Sequence, residues 1–105
     1  MFAVIYRWNV VPGGEARFVA AWEALTHRLR DERGALGSRL HRAEDGGFLA
    51  YAQWPDRAAW EASNAAGPVD AELVRDLDLL VAERLEPMPL ELESDLLETR
   101  GWTWD

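Results

Sequence analysis

The chain has 105 residues, 49% hydrophobic and 29% charged, which is typical of one soluble globular domain. Its formal net charge of −8 opposes binding to the phosphate backbone of nucleic acids. It contains no cysteine and no lysine, so disulfides, thiolate nucleophiles, cysteine-bound metals and lysine Schiff bases are excluded.

The N-terminal segment from Phe2 to Val10 is rich in aromatic and β-branched residues. It predicts a strand that ends at the turn residues Pro12-Gly13-Gly14. A helix is predicted from about Glu15 and ends at Gly34, because apolar residues recur there at intervals of three and four, namely Phe18, Trp22, Leu25 and Leu29.

The next two segments, Leu36 to Arg42 and Phe48 to Trp54, flank the sequence Glu44-Asp45-Gly46-Gly47. An Asp-Gly turn between two segments of period two indicates a β-hairpin. Asp56 is a suitable N-cap residue for a short helix that runs to about Asn64.

The C-terminal third begins with a helix break at Gly67-Pro68. A second helical pattern follows from Val69 to about Arg84. Pro87 prevents its continuation, and the alternation of apolar and acidic residues from Leu90 to Leu96 predicts an edge strand.

This order of elements predicts the α+β class and a ferredoxin-like βαββαβ fold, with a four-stranded antiparallel sheet and both helices on one face. We expect residues 1–100 to form a single domain and residues 101–105, with Trp102 and Trp104, to form a C-terminal tail. The other face of the sheet would then lack a cover, and a second copy related by a two-fold axis is the economical solution. The sequence therefore predicts a homodimer.

Three segments carry a resemblance to a known family, namely VIYRWNVVPGGEARFVAAWEAL, RGALGSRLHR and FLAYAQWPDRAAWEA. They resemble the antibiotic biosynthesis monooxygenase family of dimeric α/β-barrel proteins. The resemblance implies a dimeric α/β barrel for the fold. For the activity it implies, among several functions found in this family, a quinone-forming oxygenase that uses no cofactor.

Relatives that degrade haem carry a tryptophan in the second helix, which Trp60 matches, followed by a haem-binding histidine that this chain lacks. Their asparagine in the first strand aligns nearer Tyr6 than Asn9. Many other members have a histidine where this chain has Ser63 and Asn64. We therefore expect no cofactor, and the sequence offers no metal site.

Alternate residues of the first strand and of the hairpin should face the helices. Small alanines at 50 and 52 opposite large aromatic residues predict a flat slot for a small hydrophobic or aromatic ligand. The same pattern is also explained by an ordinary hydrophobic core. The residues predicted to bind substrate are Tyr6, Trp8, Trp22, Trp54, Trp60 and Asn64.

His41 and Asn9 are the candidate catalytic residues, and both should lie on the uncovered face of the sheet. An imidazole beside hydrogen-bonding groups could act as a base toward a phenol. The alternative is a network that satisfies polar groups buried in a dimer interface.

Two functions therefore stay open. The first is a cofactor-independent monooxygenase acting on a small phenolic or polyketide-like substrate. The second is a non-catalytic dimer that binds a hydrophobic small molecule. No nucleic acid partner is expected, and no segment resembles a membrane span or a signal peptide, so we expect a cytoplasmic protein.

Overall fold

A computed structural model describes residues 1–98. It confirms the predicted α+β, ferredoxin-like fold, in which an antiparallel sheet carries helices on one face. In chain order the elements are β1 (Phe2–Val10), α1 (Glu15–Arg33), β2 (Gly37–Arg42), β3 (Phe48–Trp54), α2 (Arg57–Ala65), α3 (Ala71–Leu79), β4 (Val81–Arg84) and β5 (Met88–Glu91).

The helix ends follow the capping residues in the sequence. α1 ends at Arg33, and its C-cap residue Gly34 has a φ of 77°, in the left-handed region that glycine adopts without strain. Asp56 caps α2 by accepting a hydrogen bond of 2.8 Å from the backbone N–H of Ala59. Asp70 caps α3 by accepting two hydrogen bonds of 3.1 Å from backbone N–H groups of the first turn.

The prediction of one helix from Val69 to Arg84 is wrong for the second half of this segment. α3 ends at Leu79, and Val81–Arg84 forms β4 instead. The backbone N–H of Val11 donates to the carbonyl of Leu80 at 2.8 Å, and β4 then pairs antiparallel with the end of β1. Pairing with β1 outweighs the helical periodicity of this segment, because propensity is weaker than tertiary contact.

Within residues 1–98 the sheet has five strands rather than the predicted four, in the order β2-β3-β1-β4, with β5 also paired with β1. β4 and β5 occupy successive parts of the same edge of β1. The predicted strand from Leu90 to Leu96 is shifted, since β5 spans Met88–Glu91. The edge is thus divided into two short strands at Pro87, which cannot donate a backbone hydrogen bond.

The hydrophobic core lies between the sheet and the helices, on the side of the sheet that the strand alternation predicts. Phe18 of α1 is fully buried, and its ring meets Trp8 with centroids 5.4 Å apart and Phe48 at 5.1 Å. A second cluster combines Phe2, Val4 and Trp54. These contacts fix α1 across the middle of the sheet.

The opposite face of the sheet carries alternating side chains that no helix within residues 1–98 covers. They include Ile5, Leu49 and Tyr51, which are partly buried, and Arg7, Asn9 and His41, which are exposed. None of the helices in residues 1–98 combines the length and apolar character that a membrane crossing requires. The predicted tail residues Trp102 and Trp104 lie outside the described residues.

Candidate functional site

An apolar cavity of about 280 Å³ lies between the sheet and helices α1 and α3. The sheet contributes aromatic rings from β1 and β3, and the helices contribute aliphatic side chains. The main side chains of the wall are Tyr6, Trp8, Trp22, Leu25, Leu29, Ala52, Trp54, Val74 and Leu77.

Flat aromatic surfaces form the sheet side of the cavity. Tyr6 and Trp8 are two positions apart on β1 and therefore point to the same side. Their rings lie nearly parallel, with an interplanar angle of 9° and centroids 5.9 Å apart. Ala52 on the neighbouring strand is too small to fill the space in front of these rings. A space with this shape suits a planar aromatic ligand.

The hydroxyl of Tyr6 is a polar group in this apolar wall. Its oxygen accepts a hydrogen bond of 2.9 Å from the indole N–H of Trp60. Burial raises the pKa of Tyr6, and the hydrogen bond from Trp60 acts in the opposite direction. Tyr6 is therefore a neutral phenol near pH 7. Its own proton has no acceptor among residues 1–98, so the O–H can donate to a ligand.

Asp78 of α3 and Arg84 of β4 form an ion pair at the mouth of the cavity. Both side chains are about half exposed, at 48% and 50%. Two further polar residues of the wall already donate to backbone carbonyls: Thr26 bonds to Trp22 and Ser38 bonds to Tyr51. Among residues 1–98, the ionisable residues of the wall besides Tyr6 and Arg7 are thus Asp78 and Arg84 at the mouth.

Four of the six residues predicted to bind substrate lie in the cavity wall, namely Tyr6, Trp8, Trp22 and Trp54. Trp60 lies behind this wall, where it donates to Tyr6 and its ring packs against Phe2 with centroids 5.6 Å apart. Asn64 is exposed near the end of α2 and does not line the cavity.

His41 and Asn9, the candidate catalytic residues, lie away from the cavity. His41 is exposed on β2. The side-chain amide of Asn9 donates to the carboxylate of Glu83 on β4 at 2.6 Å. Neither side chain lines the cavity, so a catalytic role for them would require a ligand on the opposite face of the sheet.

The sequence interpretation assigned no role to Asp78 or Arg84. In a continuous helix, residues six positions apart do not face each other, so the pair carried no recognisable signal. The chain reversal at Leu80 brings them together. The proximity of Asp78 and Arg84 follows from the pairing of β4 with β1, which no local sequence pattern predicts.

Comparison with known proteins identifies the family of this chain. The family model for antibiotic biosynthesis monooxygenases matches residues 1–76. Comparison with curated proteins gave no match.

Similar folds occur in several solved structures. SnoaB, a cofactor-independent oxygenase from Streptomyces nogalater, is 20% identical, with a TM-score of 0.76 over 92% of this chain and 97% of that one. Rv0793 from Mycobacterium tuberculosis is 18% identical, with a TM-score of 0.72 over 91% and 98% of the two chains. A conserved protein from Methanosarcina mazei Go1 is 13% identical, with a TM-score of 0.72 over 88% and 92%. The family match over residues 1–76 shows that the chain belongs to the antibiotic biosynthesis monooxygenase family, as its sequence resemblance implied.

Proposed function

We propose that this protein is a cofactor-independent monooxygenase, acting as a cytoplasmic homodimer on a small phenolic or polyketide-like substrate. The observation that carries the proposal is the apolar cavity with flat walls formed by Tyr6, Trp8, Trp22 and Trp54. Membership of the family supports it, and so does the similar fold of SnoaB, which is a cofactor-independent oxygenase.

The cavity favours a planar ligand through burial of apolar surface. A ligand that buries on the order of 200 Å² gains about 5 kcal/mol at roughly 25 cal/mol per Å². This contribution corresponds to a dissociation constant of about 10⁻⁴ M before the costs of association are subtracted. Polar contacts at the cavity mouth would have to supply further affinity.

The proposed reaction uses molecular oxygen as the oxidant. A substrate with an activated CH₂ group, such as an anthrone, loses a proton, and its carbanion passes one electron to O₂. The radical and superoxide combine to a peroxide, which takes up a proton and loses water. The CH₂ carbon becomes a carbonyl with one oxygen atom of O₂, and the other atom leaves as water.

Two groups at the cavity would assist the loss of the first proton. The neutral O–H of Tyr6 would donate a hydrogen bond to the substrate oxygen on which negative charge develops. The carboxylate of Asp78 at the mouth would accept the proton. His41, Asn9 and Asn64, which the sequence suggested for this step, are not part of the cavity wall.

Oxygen consumption with a panel of anthrones and hydroquinones tests this function. We expect one O₂ consumed per quinone formed, at a rate above the buffer blank. Ala52→Leu should place three further carbon atoms in front of the aromatic rings and obstruct ligand binding, which abolishes turnover, whereas Ala20→Leu, on the exposed side of α1, should leave it unchanged. If the folded wild-type protein turns over no member of the panel, the oxygenase proposal fails.

The second candidate is a non-catalytic protein that binds a hydrophobic small molecule. The apolar character of the wall favours it, since Thr26 and Ser38 already donate to backbone carbonyls. Under this alternative, aromatic ligands bind and Ala52→Leu weakens their binding, with oxygen consumption equal to that of buffer.

The homodimer is supported by the sheet face that no helix within residues 1–98 covers, on which partly buried Ile5, Leu49 and Tyr51 lie. Light scattering at micromolar concentration should give a molar mass of twice 11.9 kDa. A mass of one chain would contradict the dimer.

A further inference from the structure

A second concavity, of about 490 Å³, lies at the β2 edge of the sheet, between α1 and β2. We call it the β2 groove. It is continuous with the cavity, because Trp22, Thr26, Gly37 and Ser38 line both. Since β2 and β4 are the outer strands in the order β2-β3-β1-β4, the β2 groove extends the cavity at the end opposite its mouth.

The β2 groove also reaches the face of the sheet that no helix within residues 1–98 covers. Two of its lining residues, Tyr51 and Gln53, alternate on β3 with the buried Ala52 and Trp54 and therefore lie on the uncovered face. Gly37 pairs with Gln53 from β2 and has no side chain to fill the space beside it. The groove thus passes from α1 around the edge strand to the other face of the sheet.

Tyr51 belongs to the same surface as Ile5 and Leu49, on which the proposed homodimer rests. Ile5 pairs with Tyr51 across β1 and β3, and Leu49 lies two positions before Tyr51 on β3, so all three share one face. A second copy that covers Ile5 and Leu49 therefore also lies beside Tyr51, at the far side of the β2 groove. The groove is then bounded by α1 and β2 of one protomer and by the surface of its partner.

We propose that the partner subunit completes the ligand site by closing the β2 groove, so that a long aromatic ligand extends from the cavity and contacts both protomers. This inference rests on the homodimer and the aromatic ligand of the proposed function, and it specifies the substrate class as elongated polycyclic aromatic compounds. Ligand binding and dimerisation are then coupled. A ligand that contacts both protomers strengthens the dimer, and the dimer strengthens ligand binding in turn.

The first test measures this coupling with a short and a long probe, 2-naphthol and 6-phenyl-2-naphthol. The additional ring gives the long probe the length to extend from the cavity into the β2 groove. Sedimentation equilibrium gives the dissociation constant of the wild-type dimer with and without saturating probe. We expect the long probe to lower this constant about tenfold, and the short probe to change it by less than about twofold.

The second test separates the protomers by a substitution outside the site. Leu49 lines neither the cavity nor the β2 groove. Its neighbours across the strands are Arg7 and His41, so Leu49→Arg brings like charges together where the two copies meet. We expect a monomer that binds the long probe about tenfold more weakly than the wild-type dimer and binds the short probe equally well.

The matched control is Ala20→Arg, which adds the same charge on the exposed side of α1. It should keep the dimer and both affinities. Fluorescence titration of the probes gives the affinities, and circular dichroism checks that each variant is folded. Titrations of the wild-type protein above and below the dissociation constant of its dimer make the same comparison without any substitution, and they decide the question if Leu49→Arg is unfolded or stays dimeric.

Four results would overturn the inference. If the long probe leaves the dissociation constant of the dimer unchanged, or if only the short probe binds, the partner does not complete the site, and the aromatic cavity of the proposed function stands. If the monomer loses affinity equally for both probes, dimerisation acts on the fold and not on the groove. If the wild-type protein is monomeric with and without the probes, the homodimer is contradicted as well. If neither probe binds, the cavity does not accept aromatic ligands, and the proposed function also fails.

Discussion

The hydrogen bond between Trp60 and Tyr6 gives a sharp test of how the cavity wall is held in place. The indole N–H of Trp60 donates to the hydroxyl of Tyr6 at 2.9 Å, and the two residues are 54 positions apart in the chain. This bond connects α2 to the central strand. Tyr6→Phe removes the acceptor and leaves the ring, so it isolates the contribution of the hydrogen bond.

The expected cost follows from the burial of the two groups. A net hydrogen bond contributes about 0.5–1.5 kcal/mol, and a buried donor left without a partner costs roughly 1–3 kcal/mol. Water can reach Trp60 in part, because its side chain is only partly buried. We therefore expect Tyr6→Phe to lower the free energy of unfolding by about 1–1.5 kcal/mol, or roughly 4–6 °C in melting temperature.

The pH dependence provides a second readout of the same residue. Burial raises the pKa of Tyr6 above its ordinary value of 10.0. The unfolded chain then ionises this phenol at lower pH than the folded protein does. The stabilisation is complete below pH 10 and is lost as the pH rises through the raised folded pKa. The stability difference between wild type and Tyr6→Phe should therefore be smaller at pH 10.5 than at pH 8.

Urea unfolding followed by tryptophan fluorescence measures these free energies at both pH values. Tyr51→Phe is the control, since it removes the hydroxyl of the other tyrosine, which among residues 1–98 accepts one long hydrogen bond of 3.5 Å from Gln53. A double-mutant cycle with Trp60→Phe should give a coupling energy of about 1 kcal/mol. Equal stabilities of wild type and Tyr6→Phe at pH 8, or a coupling energy near zero, would refute the reasoning.

Two further perturbations separate packing from tethering. Ala52→Leu projects into the cavity and should change the free energy of unfolding by less than about 1 kcal/mol. Ala50→Leu places the same side chain in the filled core and should lower the free energy of unfolding by about 1–3 kcal/mol. Equal losses of stability for the two variants in thermal unfolding would show that the cavity is not empty space. Arg33→Gln removes hydrogen bonds to three oxygen atoms at the end of α2 and should cost roughly 1–3 kcal/mol. As the control, Arg17→Gln at an exposed position should change the free energy of unfolding by no more than about 0.5 kcal/mol. If urea unfolding shows an equally small change for Arg33→Gln, the hydrogen bonds of Arg33 do not hold the end of α2 in place.

The first two-thirds of the fold were predictable because local signals and periodicity agree there. β1 and β3 have the predicted bounds, and α1 begins at Glu15 and ends at Arg33, immediately before the glycine predicted to stop it. α2 extends one residue beyond Asn64, and β2 begins one residue after Leu36. In these segments the turn residues, capping residues and apolar spacing all specify the same structure.

The segment after α3 was predicted incorrectly for a physical reason. Leu77, Leu80 and Val81 have the spacing of one helix face, and all three do pack against the core. The periodicity thus identified the buried residues correctly. It could not show that Val81 reaches the core from a strand, because its pairing with Val10 joins residues 71 positions apart in the sequence.

For the site, strand alternation was sufficient to predict the aromatic wall and insufficient to predict its polar groups. The side of β1 that faces the helices follows from period two, and Tyr6 and Trp8 lie in the cavity wall. The position of Trp60 depends on how α2 packs on the sheet, which no local pattern specifies. Its hydrogen bond to Tyr6 was therefore not predictable from spacing.

The reversal of the chain at Leu80 links the fold to the mouth of the cavity. Had the helix continued, Arg84 would lie about 9 Å beyond Asp78 along the helix axis at 1.5 Å per residue. Instead, the hydrogen bond from Val11 to Leu80 ends α3 and aligns β4 with β1. A Cβ atom on Gly14 would lie 3.1 Å from the side chain of Leu80 and 2.9 Å from that of Val11, so the small residue at this turn permits the close approach. The contact that stops the helix therefore also places the Asp78–Arg84 ion pair, and a substitution that disturbs this turn should alter sheet pairing and ligand access together.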